Sequence, residues 1–234
     1  MAKTAKLSAY MTKKEKWLGF AYLIFSLFGL PPLLQHANSL LAEPMSDDRL
    51  NIIFFCTNFF FICYIFRAFL KKSLTAAGEN FGNVLLTALI GFVVYWMCSF
   101  AYSCVIVVLF PDYVNLNDQS IAGILSDNFA LMAICSIVLV PVTEEVLYRG
   151  LLFGTIHAKN HIAAFIISTV IFAVIHLMSY IGHYSWLHLA IAFVQYLPAG
   201  IVLGWAYRKS GCIYVPILIH AAVNAIGVFA ASMR

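Results

Sequence analysis

Glu144 and Glu145 stand side by side in the segment FALMAICSIVLVPVTEEVLYRGLLFGTI (residues 129–156), where Arg149 is the only other charge. About 20 apolar residues cover the hydrocarbon core of a bilayer, so this segment is long enough to cross one. An acidic or basic side chain at mid-helix costs about 2.5–3.5 kcal/mol on insertion scales, or about 8–10 kcal/mol for three left unpaired. Charges in such places face a protein interior or a wet cavity and mark a functional site by default.

Helical spacing separates the two acids. Residues four apart share a face, so Glu145 can pair with Arg149, while Glu144 points about 140° away from that arginine. Two more pairs follow at the same spacing, Phe172 with His176 and His220 with Asn224. Counted from the ends that carry the basic residues, Glu144, His176 and Asn224 lie roughly 18–22 Å deep, and His220 roughly 10–12 Å. A carboxylate and an imidazole at one level can share a water and take its proton. A second imidazole and an amide can donate to the oxygen that turns negative when that water attacks a carbonyl. The parts are those of water-activated acyl hydrolysis, with Phe172 read as packing.

The elements that carry these residues are apolar throughout. Of the 234 residues 63% are hydrophobic and 10% charged, with mean hydropathy +0.91. A soluble domain is nearer a quarter charged, which makes this an integral membrane protein of the all-α class, one polytopic helix bundle over residues 1–234. Seven spans are expected: about 17–35, 50–70, 82–110, 129–156, 161–180, 186–207 and 213–233. The third is long enough to hide an eighth crossing. Pro31-Pro32 should kink or end the first helix. Residues 1–16 form a basic N-terminal segment, and residues 125–230 hold the polar motifs.

Basic residues set the orientation. Residues 1–16, the 67–72 end, Lys159 and Arg208-Lys209 fall on one side of successive spans, with only Arg234 against. The positive-inside rule makes that side, and the N-terminus, cytoplasmic, in what is expected to be the cell membrane. The net charge of +4 sits at span ends and is no nucleic-acid signal. The six cysteines show no CxxC and no zinc spacing and read as small buried apolar side chains. Trp17, Tyr113, Trp186 and Tyr207 suit an aromatic belt. His36, His157, His161, His183 and His188 read as interfacial.

Glu144-Glu145-x-x-x-Arg149, Phe172-x-x-x-His176, Pro198-x-Gly200-x-x-x-Gly204 and His220-x-x-x-Asn224, in this order, resemble the motif series of the CAAX-protease and bacteriocin-processing (CPBP, or Abi) family. The resemblance covers about residues 125–230. It implies an intramembrane glutamic endopeptidase of the type II CAAX prenyl protease kind, needing no cofactor, in which Glu144 and His176 activate water. His220 and Asn224 would form the oxyanion site, and Glu145 and Arg149 would support them. The substrate implied is a membrane-associated peptide or protein, such as a CAAX-like protein, a bacteriocin or a signalling peptide, and the other expected partner is membrane lipid. Oligomeric state stays open.

Two alternatives stand beside it. Glu144, His176 and His220 together make an acceptable catalytic zinc set, although HExxH is absent. A non-catalytic membrane immunity or partner-binding protein could use the same polar residues only to hold helices together.

Overall fold

The structure, a computed structural model, describes residues 11–116 and 129–233. Residues 1–10 of the basic N-terminal segment and Arg234, which entered the charge reading above, lie outside them. Among the described residues the chain is helical without strands: α1 Lys13–Phe28, α2 Leu30–Ser39, α3 Asp47–Ile65, α4 Arg67–Glu79 and α5 Phe81–Leu109. They are followed by α6 Phe129–His157, then α7 His161–Leu177, α8 Trp186–Ser210 and α9 Tyr214–Ser232. Six of these are long and apolar enough to cross a membrane, and α1 with α2, bent by 47°, makes a seventh. The bend falls at Gly29, just before Pro31-Pro32, where the prolines remove two backbone donors.

Two expectations are corrected. The third span holds no eighth crossing, because α5 is one unbroken helix of 29 residues. At 1.5 Å per residue it measures about 43 Å, which exceeds the hydrocarbon core and leaves its ends in the interface. The second span does not run on to Leu70. It stops at Ile65, the backbone turns at Phe66, and Arg67, Lys71 and Lys72 lie on the separate helix α4.

One end of the bundle is tied together by this basic helix. Thr12 and Glu15 form a capping box at the start of α1, and Glu15 Oε1 also accepts the Phe69 backbone N–H at 2.8 Å. The Ile213 N–H donates to Ser73 Oγ at 2.9 Å, and the Tyr214 hydroxyl donates to the Leu70 carbonyl. A large apolar cluster, including Phe66, Phe69, Leu147, Leu151, Phe153 and Ile213, fills the space directly above. Tyr207 joins it at 1% exposure and so does not belong to an aromatic belt, whereas Trp17 and Trp186 stand 79% exposed at opposite ends. At the other end the Tyr180 hydroxyl donates to the Leu116 carbonyl, and Gln195 Nε2 donates to Asn115 Oδ1.

Local sequence explains the ends of the helices that carry the site. Asn160 caps α7 by accepting from the Ala163 N–H, and Ser185 caps α8 by accepting from the His188 N–H. Gly211 ends α8 in the left-handed region at φ 69°, a conformation that glycine adopts without a Cβ penalty. All six cysteines are free, and only Cys135 and Cys212 are buried; Cys56, Cys98 and Cys104 are exposed on the outer surface of the bundle.

Candidate active site

Helix α6 is wound irregularly on both sides of the acidic pair. Cys135–Leu139 and Val146–Phe153 adopt the wider i→i+5 pattern, flanking a short α-helical stretch, Val140–Glu145. Such turns cluster at functional sites because they free carbonyls and re-aim side chains. Pro141 contributes by offering no N–H to the turn before it. The Ser136 carbonyl accepts from Asn224 Nδ2 at 2.8 Å, which joins α6 to α9.

The two glutamates differ in their surroundings. Glu145 is fully buried, and its Oε1 accepts from Arg149 Nη1 at 3.0 Å and from His220 Nδ1 at 2.8 Å. Arg149 is 1% exposed, donates through Nη2 to the Ala199 carbonyl at 3.1 Å and lies over the Phe172 ring, 4.3 Å from its centre. The ion pair expected from i,i+4 spacing is present. The sequence reading did not foresee that His220 shares the same oxygen. Glu145 and Arg149 therefore bind α6 to both α9 and α8.

Glu144 is 22% exposed, and its Oε2 lies 3.6 Å from Nε2 of His176, itself 21% exposed. His176 turns Nδ1 to the Phe172 carbonyl at 2.8 Å. A carbonyl only accepts, so Nδ1 carries the hydrogen and Nε2 of the neutral ring presents a lone pair toward Glu144. At 3.6 Å the two do not bond directly, and Oε2 is a buried oxygen without a hydrogen-bond partner, although the side chain as a whole is part-exposed. The imidazole packs against the rings of Phe172 and Tyr196, at 4.3 and 4.5 Å between centres. Phe172 thus packs, as expected, and also orients His176.

Helices α7 and α8 come close enough for this because of Gly200. A Cβ there would fall 2.4 Å from Thr169 Cγ2, closer than carbon atoms pack. The Pro198-x-Gly200-x-x-x-Gly204 run thus serves the helix contact that small residues serve in membrane bundles.

Glu144, His176, His220 and Asn224 all line one cavity of about 510 Å³. Glu145 and Arg149 stand behind its wall. Tyr95, Ser99, Tyr102, Gln195 and Tyr196 line it too, and none was singled out from the sequence. Their spacing on α5 and α8 was the available signal: Tyr95, Ser99 and Tyr102 recur every three to four residues. A second, apolar cavity of about 190 Å³, lined by Leu27, Phe54 and Ile175 among others, also reaches Glu144. No three His, Cys, Asp or Glu side chains among the described residues converge to hold a metal ion. His220 spends Nδ1 on Glu145.

Comparison with known proteins now bears on the site. Residues 126–226 match the type II CAAX prenyl endopeptidase Rce1-like family. Over this stretch the chain is similar to that family. It contains all four motifs on α6, α7, α8 and α9, in agreement with the CPBP resemblance they carry. The UPF0177 protein YxdF of Lactococcus lactis subsp. lactis (strain IL1403) is 33% identical over 90 residues, 38% of this chain and 44% of that protein. The protein named "Putative membrane peptidase YdiL" of Bacillus subtilis (strain 168) is 25% identical over 228 residues, 92% of this chain and 88% of that one. No solved structure matches the chain. The family and the second relative's name support a membrane protease built on this bundle.

Proposed function

We propose that the chain is an intramembrane endopeptidase that hydrolyses a peptide bond of a membrane-associated peptide or protein with water activated by Glu144 and His176. The observation that carries this is the contrast between the two acids. Glu145 is fully buried with Oε1 on Arg149 and His220, whereas Glu144 is part-exposed and lines a cavity beside His176.

A water held by the Glu144 carboxylate and His176 at the cavity wall gives up a proton to the carboxylate as its oxygen attacks the carbonyl carbon of the peptide. The C=O electron pair moves onto oxygen. Asn224 has a second Nδ2 hydrogen free once the first is given to Ser136, and it donates to that oxyanion. His220, with Nδ1–H on Glu145, contributes a second donor when Nε2 is also protonated, and the buried carboxylate of Glu145 balances that charge. Collapse of the intermediate breaks the C–N bond. Glu144 returns the proton to the departing amine, leaving one new carboxyl and one new amino end.

Comparing the peptides in membranes that contain the native chain or Glu144→Gln tests the reading. An uncleaved precursor should accumulate with Glu144→Gln and would name the substrate. If Glu144→Gln folds, inserts and keeps the full biological effect, the chain works instead as the non-catalytic partner protein.

A further inference from the structure

The two ends of the bundle differ in charge and in packing, and the cavity belongs to only one of them. Lys13, Lys14, Lys16, Arg67, Lys71, Lys72, Lys159, Arg208 and Lys209 all lie at helix ends on one side. The hydrogen bonds from Glu15, Ser73 and Tyr214 tie these ends together, so the side assignment rests on contacts as well as on alternation. Arg49 is the one described cation at the opposite end, beside Asp47 and Asp48. Between Leu109 and Phe129 the sequence has no Lys or Arg and contains Asp112, Asp118 and Asp127.

The cavity occupies the half of the bundle away from the basic end. On α5 its lining runs from Tyr95 to Ser103, toward the helix end at Leu109; on α9 it runs from Ile219 to Ala230, toward the end at Ser232. Asn115 and Gln195, which hydrogen-bond to each other beyond the end of α5, line it as well. In the other direction Glu144 and His220 are its floor. Below them Leu147, Leu151, Phe153, Phe66 and Ile213 close the bundle, each under 4% exposed.

We infer that the cavity is reached from the extracytoplasmic face, opposite the basic loops, so that the scissile segment of the substrate is presented on that face of the membrane. Basic loops stay in the cytoplasm, which puts the packed, apolar end inside and the polar cavity outside. The inference rests on the proteolytic reading for the word substrate, but the route into the cavity is independent of it. A peptide in the cytoplasm would have to pass the phenylalanine and leucine cluster; one at the outer surface meets tyrosine, serine, asparagine and glutamine side chains.

Thiol labelling of the full chain in intact bacterial cells tests this. Cys56, Cys63, Cys98 and Cys104 are replaced by alanine, and the buried Cys135 and Cys212 are kept. One thiol is then added as Gly227→Cys, on the cavity wall where a Cβ meets nothing within 4 Å, or as Lys209→Cys at the basic end. A charged, membrane-impermeant methanethiosulfonate should modify Gly227→Cys in intact cells, and Lys209→Cys only after permeabilisation. The reverse pattern, or no reaction at Gly227→Cys in either condition, overturns the inference. Adding Glu144→Gln to Gly227→Cys should leave labelling unchanged, which separates failure of access from failure of catalysis. Should the alanine background not insert, a green fluorescent protein fused to either end of the native chain gives a second reading. Fluorescence is expected at the N-terminus only, and a fluorescent C-terminus contradicts the orientation.

Discussion

His220 directs Nδ1 at Glu145 Oε1 over 2.8 Å, and that same oxygen accepts Arg149. One buried carboxylate thus fixes the tautomer of a cavity histidine on α9 while anchoring an arginine that reaches α8. The acid doubled in the sequence is divided in place: Glu145 is buried behind the wall, and Glu144 lines the cavity.

Removing the arginine tests that division. Arg149→Ala leaves Glu145 buried with His220 alone, and breaking a buried pair by deleting one partner costs about 3–5 kcal/mol. The variant should show a clearly lower melting temperature in detergent together with lost activity. Lost activity at an unchanged melting temperature would assign Arg149 a direct part in the chemistry instead.

Tyr196 should act through His176. Tyr196→Phe keeps the ring against the imidazole, whereas Tyr196→Ala removes a ring contact worth about 0.5–1.5 kcal/mol and lets Nε2 wander. Steady-state kinetics on a cleavable peptide should show kcat falling with KM little changed for alanine, and near-native values for phenylalanine. Equal losses in both variants would point to the hydroxyl.

Gly200→Ala drives a methyl into Thr169. Overpacking of this kind costs about 1–3 kcal/mol, and here it would also push α7, with His176, away from α8. Activity should fall, and Thr169→Gly in the same chain should restore part of it. Absence of any rescue would show that the contact does not set the helix spacing.

Metal removal separates the two hydrolytic chemistries. Purified protein treated with a strong chelator should retain its activity, and elemental analysis should find no stoichiometric zinc. About one zinc per chain, with activity lost on chelation and regained on zinc addition, would overturn the glutamate mechanism and call for a ligand set other than the one read from sequence.

The membrane class, the span positions, the Gly29 bend and the Glu145–Arg149 pair were legible because each rests on local spacing: 20-residue apolar runs, a Pro-Pro pair, an i,i+4 pair. The His220–Glu145 bond was not, because it joins residues 75 positions apart and depends on how α9 packs against α6. Wide turns on either side of Glu144 leave no pattern beyond Pro141. The break at Phe66 was hidden in a continuous apolar run, although Arg67, Lys71 and Lys72 already gave α4 a basic face. Thr12-x-x-Glu15 was a readable capping box, but its anchoring of Phe69 across the chain was not. Tyr196 looked like one aromatic among many in an apolar span, and only its ring contact with His176 sets it apart.

The most direct test is the rate of peptide cleavage by purified native protein and by Glu144→Gln, both in the same lipid, with the melting temperature of each measured alongside. Loss of a general base lowers rates by about 10²–10⁴-fold, and a fall of at least that size at unchanged stability is the expected result. Cleavage by Glu144→Gln at the native rate would contradict the account.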